Sequence, residues 1–190
     1  IVGFFSCEMS AEQLATRILS ERTGISSSLI RRGGITERDF EKIRDHAIEM
    51  QHLPFHVDDT GGLSIAQLMA RARRLKRQKG LDLLIIDYIQ LLSGSGKRSD
   101  NRVQEITEIT TGLKALAKEL NVPIIALSQL SRQVEAHEKW QLDMSLVHGK
   151  AEVIIGKQRH GPTGTIKLAF ESNVTRFADL AEDDHLPAHI

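Results

Sequence analysis

Hydrophobic and polar positions follow two different periods along this chain. Near-continuous apolar runs occur at IVGFFSCE (1–8), LLIID (83–87) and VPIIALSQ (122–129), each short enough to be one buried strand, and FHVDD (55–59) reads as a further short strand. Helical spacing fills the gaps between them. Ser10 with Gln13 three residues on forms a capping box and predicts a helix to about Arg22. Thr36 caps a second helix with Phe40, Ile43, Ala47 and Met50 at 3-4-3 spacing, and Pro54 closes that segment. Ser64 opens a third, with Leu68, Ala72 and Leu75 on its inner face and Gly80 as its stop. Ile106, Ile109, Leu113, Leu116 and Leu120 recur strictly at 3-4-3-4 through RVQEITEITTGLKALAKEL (102–120), the longest predicted helix. The stretch GISSSLIRRGG between the first two helices reads as loop.

Beyond Ser131 the pattern weakens. KWQLDMSLVHGK predicts a helix, and AEVIIGKQRH, the turn GPTG and TIKLAF predict a hairpin. In it Ile166, Leu168 and Phe170 alternate with Lys167 and Ala169, as in a sheet with one covered face. The tail AEDDHLPAHI (181–190) is polar and expected to fray. Strands separated by helix-length segments imply βαβ units, hence an α/β fold with a mostly parallel sheet, helices on both faces and the hairpin at one edge. The 190 residues suit one sizeable core, with residues 1–180 as one domain and 181–190 as its tail.

Charge narrows the functional classes. Lys+Arg and Asp+Glu both number 25, so nucleic acid could be bound only through a local basic surface. The run RARRLKRQK (Arg71 to Lys79) is read first as the solvated face of a helix. The eight histidines form no ligand-spaced cluster, which argues against a zinc site. One cysteine, Cys7, excludes an internal disulfide and fits a reducing, cytoplasmic setting. The apolar runs fall far short of the ~20 residues a membrane span needs, and no signal-peptide pattern opens the chain.

In open parallel sheets, ligands bind at the carboxyl ends of the strands. Three apolar runs end there in polar groups: Glu8, Asp87 and Gln129. Four aliphatics followed by an aspartate have the form of a Walker B strand. Its carboxylate, directly or through water, helps hold a Mg²⁺ ion bridging nucleotide phosphates. A nearby carboxylate can polarise the attacking water, and a glutamine can report the γ-phosphate. The phosphate-cradling motif G-x-x-x-x-G-K-S/T is missing. Its one lookalike, Gly94-Ser95-Gly96-Lys97-Arg98, has Leu91 where the first glycine belongs and Arg98 where a hydroxyl should stand. Lys97 is therefore read as a solvated loop lysine.

The stretches FFSCEMSAEQLATRI, LLIIDYIQLL, NRVQEITEITTGLKALAKELNVPIIALSQLSRQVE and AEVIIGKQRHGPTGTIKLAF resemble, in order and over nearly the whole chain, the C-terminal ATPase domain of the DnaB family of bacterial replicative helicases. The resemblance implies a RecA-like three-layer fold, a homohexameric ring around single-stranded DNA, and ATP with Mg²⁺ bound between subunits. It also implies primase and a helicase loader as partners. Carried over by motif, Glu8 resembles the catalytic glutamate, Asp87 the Walker B aspartate and Gln129 the γ-phosphate sensor. Lys157 and Arg159, in GKQR, resemble the basic pair that reaches into the neighbouring subunit's site; the alternative for both is a charged strand exit. Cys7 stands where the family has leucine.

Two departures qualify the resemblance. The first residue already lies in a strand, so the chain reads as cut from something longer, after the place where the P-loop should stand. Glu138 also runs directly into Lys139-Trp140, where the family has a DNA-contacting loop and a further core strand. The expectation is a chain that alone hydrolyses ATP negligibly, within a parent that hydrolyses it well. The competing reading is a catalytically inactive remnant or an assembly and binding module of the same family. A RecA-type recombinase shares the strand-end carboxylates but should lack GKQRHGPTG.

Overall fold

The computed structural model describes residues 1–94, 102–129, 149–157 and 161–180. The chain divides into two compact units, 1–15 with 48–131 and 16–47 with 132–190.

The first unit is built on a parallel sheet. Its strands are β1 (Val2–Ser6), β2 (Phe55–Asp58), β3 (Leu83–Asp87) and β4 (Ile124–Ala126), in the order β2-β1-β3-β4. Val2 pairs with Phe55 on one side and with Leu83 on the other, and Leu84 pairs with Ile124. Ladders of this kind need a crossover after each strand. Between β2 and β3 the crossover is helix α4 (Ile65–Gln78), and between β3 and β4 it is α5 (Arg102–Leu120).

The core lies between this sheet and those two helices. Leu68, Ala72, Leu84, Ile86, Ile109 and Leu116 are fully buried and belong to one cluster. Gly3 lets β1 come close to that layer. A Cβ there would stand 2.9 Å from the Leu75 side chain and 3.0 Å from that of Leu81. Along β3, Leu84 and Ile86 are buried, while Leu83 and Ile85 are only half-buried. Ile125, in register with Ile85, is exposed. The two central strands, β1 and β3, are thus the best buried of this sheet, and β2 and β4 at its edges are more exposed.

Local signals place the helix starts. Ser64 accepts from the Gln67 N–H (3.2 Å) while Gln67 Oε1 accepts from the Ser64 N–H (2.9 Å). Ser10 and Gln13 form the same reciprocal pair at the start of α1 (Ala11–Thr23).

The second unit contains the remainder of α1, then α2 (Ser27–Arg32), α3 (Glu37–Met50) as far as Ala47, and an antiparallel sheet. The loop expected over GISSSLIRRGG contains the short helix α2. Ser26 caps it, and Gly33 ends it at φ +69° with its N–H donating to Ile30 O. Thr36 caps α3, accepting from the Asp39 N–H at 3.2 Å. The expected hairpin is β5 (Lys150–Ile155) with β6 (Gly164–Glu171). A third strand, β7 (Arg176–Asp179), extends it in the order β5-β6-β7. Phe170 and Phe177 face each other across β6 and β7 with ring centres 4.8 Å apart. Arg176 and Glu171 form an ion pair at the same corner. The helix predicted over 139–150 and the tail 181–190 lie outside the described residues, apart from Gly149 in a turn and Lys150 in β5.

Candidate active site at the carboxyl ends of the parallel strands

The parallel arrangement brings all four strand ends to one rim of the first unit. Ser6, the last residue of β1, is in register with Asp87, the last of β3. The Cys7 N–H donates to Asp87 O at 2.7 Å, carrying the ladder one step further. Glu8 is the next residue along and is exposed. The buried Ser6 hydroxyl donates to Met9 O (2.6 Å) and accepts from the Met9 N–H (3.2 Å). That side chain therefore closes the turn on which Glu8 sits. Past the turn, Asp59 accepts from the Ala11 N–H at 2.8 Å, tying the β2 exit to the start of α1.

The carboxylates at this rim differ in kind. Asp58, at the end of β2, is engaged: Arg71 Nη1 donates to both of its oxygens (2.9 and 2.8 Å), and the Thr60 N–H donates at 3.1 Å. Burial acts to raise the Asp58 pKa, but the hydrogen bonds from Arg71 and Thr60 outweigh it and hold the carboxyl below its usual range. Asp87 is half-buried, and its carboxylate has no hydrogen bond or ion pair among the described residues. The Cys7 thiol registers the local field. Burial first, then the charges of Asp87 and Asp58, push it up to about 11.

Gln129 leaves β4 one strand over from Asp87 and is exposed. Its backbone is gripped by a residue that sequence reasoning did not single out. Gln90 Nε2 donates to Gln129 O (3.0 Å) and to Ser128 Oγ (2.7 Å), while Gln90 Oε1 accepts from the Gln129 N–H (3.3 Å). Asp58 and Asp59 were missed as well, although FHVDD shows the same apolar-run-then-carboxylate signal as LLIID.

The rim thus brings Glu8, Asp87 and Gln129 to the ends of three adjacent strands. Lys157 follows β5 in the second unit and is exposed, and Arg159 lies outside the described residues. Among the described residues no three His, Cys, Asp or Glu side chains form a metal cage.

The family model described as the DnaB-like helicase C terminal domain matches residues 1–147 and 137–179. The chain belongs to that family. It is 40% identical to the replicative DNA helicase DnaB of Rickettsia bellii, over 99% of this chain and 47% of that protein. To the replicative DNA helicase DnaC of Bacillus subtilis it is 38% identical, over 94% of this chain and 46% of that one. The chain spans about half the length of the curated relatives it matches. A solved structure described as an ATPase domain matches with a TM-score of 0.85 at 30% identity, covering 95% of this chain and 75% of that one. A DnaB-like replicative helicase, described with its interactions with primase, matches at 0.82 and 29% identity, over 95% of this chain and 51% of that one. These likenesses bear out the RecA-like helicase ATPase fold. The family match breaks and restarts within 137–147, where Glu138 meets Lys139. The Rickettsia bellii alignment runs over 237 residues, more than this chain has, so that DnaB helicase carries internal residues absent here.

Proposed function

We propose that this chain is the motor portion of a replicative DNA helicase. It would couple ATP hydrolysis to translocation on single-stranded DNA and to duplex unwinding at the replication fork. The observation that carries this reading is the pairing of Ser6 with Asp87, which sets Glu8 and Asp87 on neighbouring strand ends beside Gln129. Family membership supplies the context in which those residue types do phosphoryl-transfer chemistry.

Mg²⁺ favours hard oxygen ligands and is usually held by one or two carboxylates together with substrate phosphates and water, not by an all-protein cage. The half-buried Asp87 carboxylate, which has no hydrogen bond or ion pair among the described residues, suits that role, directly or through water. Mg²⁺ bound with ATP neutralises charge developing on the phosphates. Glu8, exposed on its short turn, accepts a proton from the attacking water and orients it. Gln129 senses the γ-phosphate. Lys157 and Arg159 act in the site of the neighbouring subunit of a homohexamer, where an arginine supplied in trans is worth roughly 10³–10⁵ in rate in comparable NTPases. Single-stranded DNA, primase and a loader are the partners, and the cytoplasm is the setting such work requires. One relative solved with its primase interactions supports that partner. Among the described residues no helix is long and apolar enough to cross a membrane.

The test is made in the full-length helicase containing this chain. Glu8→Gln should abolish turnover and spare nucleotide binding. Arg159→Ala should abolish turnover and regain part of it when mixed with Glu8→Gln subunits, because the two defects fall in different sites of one ring. Turnover by Glu8→Gln near the wild-type rate would sink the assignment of Glu8, and mixtures with no regained activity would confine Arg159 to its own subunit.

A second reading concerns the 190-residue stretch by itself, within which no G-x-x-x-x-G-K-S/T occurs. On that reading the chain is an inactive remnant, or an assembly and binding module. Titration of the purified 190-residue chain with Mg²⁺–ATP decides, since micromolar affinity would rule it out.

A further inference from the structure

The β3–β4 ladder should end at Asp87, because the chain then turns into a 3-10 turn, Ile89–Leu91. As far as Leu127 the backbone supplies the partners: Leu127 N–H donates to Ile86 O (2.9 Å), and Ile89 N–H, at the start of the turn, donates to Leu127 O (3.0 Å). One step on, at Gln129, β3 has no strand left to offer. Both the N–H and the C=O of Gln129 are instead met by a single side chain, the Gln90 amide. An amide group carries one acceptor and one donor group side by side, as a peptide unit does, so it can stand in for the missing strand residue. Its orientation is determined. The Gln129 N–H can only donate, so Oε1 must face it and Nε2 must face the carbonyl and Ser128 Oγ.

Gln90 is itself held from behind. The Arg102 guanidinium, in the first turn of α5, donates to Gln90 O and also bonds Glu105, whose Oε1 accepts from the Gly94 N–H at 3.2 Å. The first turn of α5 thus fixes the loop, the loop fixes the Gln90 side chain, and that side chain fixes the Gln129 backbone.

We infer that Gln90 is a positioning residue for Gln129, a side-chain continuation of β3 that sets where the γ-phosphate sensor stands. This rests on the reading of Gln129 given above. Gln90 need touch no nucleotide. Without it the exit of β4 loses both of its cross-strand bonds at the one residue whose placement turnover depends on.

Gln90→Met keeps length and apolar bulk but removes both bonds, whereas Gln90→Glu keeps an acceptor for the Gln129 N–H and loses the donor. In the 190-residue chain, hydrogen exchange of the Gln129 amide should rise on the order of tenfold in Gln90→Met, with Leu84 and Ile86 amides unchanged. In the full-length helicase, Gln90→Met should lower kcat on the order of 10- to 100-fold, since an ångström of misplacement suffices for that. KM for ATP should move less than about threefold. Gln90→Glu should fall between wild type and Gln90→Met. In a Gln129→Ala background, Gln90→Met should add less than about twofold, because both changes remove the same function. A damaging Gln129→Ala alongside a silent Gln90→Met overturns the inference alone. A silent Gln129→Ala overturns the sensor reading, and the role of Gln90 in turnover with it. Full additivity of the two, or a Gln129 amide that exchanges freely in the wild-type chain, also overturns the inference.

Discussion

The electrostatics of the strand-end rim can be read from one atom, because the chain has a single cysteine. Burial, then Asp87, then Asp58 raise the Cys7 thiol from 9.0 to about 11. Thiolate, not thiol, reacts with iodoacetamide. At pH 8 a two-unit rise leaves about 100-fold less thiolate than an ordinary cysteine has. The more basic thiolate is intrinsically more nucleophilic, by about tenfold over two units at a Brønsted slope near 0.45, so net alkylation should run about tenfold slower. The midpoint is the more telling readout. The rate should still be climbing at pH 10, where the urea-unfolded chain has levelled off. Asp87→Asn in metal-free buffer should move the midpoint down and speed alkylation at pH 8. It should not restore the unfolded value, since burial is the larger cause. A native midpoint at 9, or an Asp87→Asn midpoint equal to wild type, would show that the Asp87 carboxylate does not stand beside Cys7. The β1–β3 rim would then be wrong.

Other outcomes test the scaffold around that rim. Leu68 is fully buried, so Leu68→Ala should cost about 2–5 kcal/mol in urea unfolding. Val103→Ala, at an exposed position of α5, should stay within about 0.5 kcal/mol. Gly3→Ala would force a methyl against Leu75 and Leu81 and should destabilise by about 1–3 kcal/mol. Ser64→Ala removes one arm of the α4 capping box and should cost about 1 kcal/mol. Asp58 is held below its usual pKa of 3.8, so its pairing with Arg71 stabilises the fold above that value and is lost as pH falls through the lowered one. The destabilisation caused by Arg71→Ala, read by urea unfolding, should therefore be present at pH 6 and shrink as the pH falls below 3.8.

What the sequence determined by itself was local. Capping boxes at Ser10 and Ser64 and the 3-4-3-4 spacing of residues 106–120 involve neighbours along one helix. Those interactions form in much the same way whatever surrounds them. The polar endings of the apolar runs were legible for the same reason, and so was the family. Two short elements escaped. Helix α2 is six residues in a serine-rich stretch and depends on Ser26 and Gly33 at its ends; β7 is four residues with no clear alternation of its own.

Only the tertiary structure decided the order β2-β1-β3-β4, which puts Glu8 beside Asp87 and Gln129 one strand away. Periodicity states that a segment is a strand but not which strand is its neighbour, because each parallel pairing is closed through a long crossover. The same holds for the fate of each carboxylate. Asp58 and Asp87 look alike in the sequence, yet Arg71, on the following helix, engages the first and leaves the second free of described partners. The grip of Gln90 on Gln129, 39 residues away along the chain, is a contact of that kind. It exists because β3 turns off two residues too early to pair with Gln129, and only the folded sheet has that vacancy to fill.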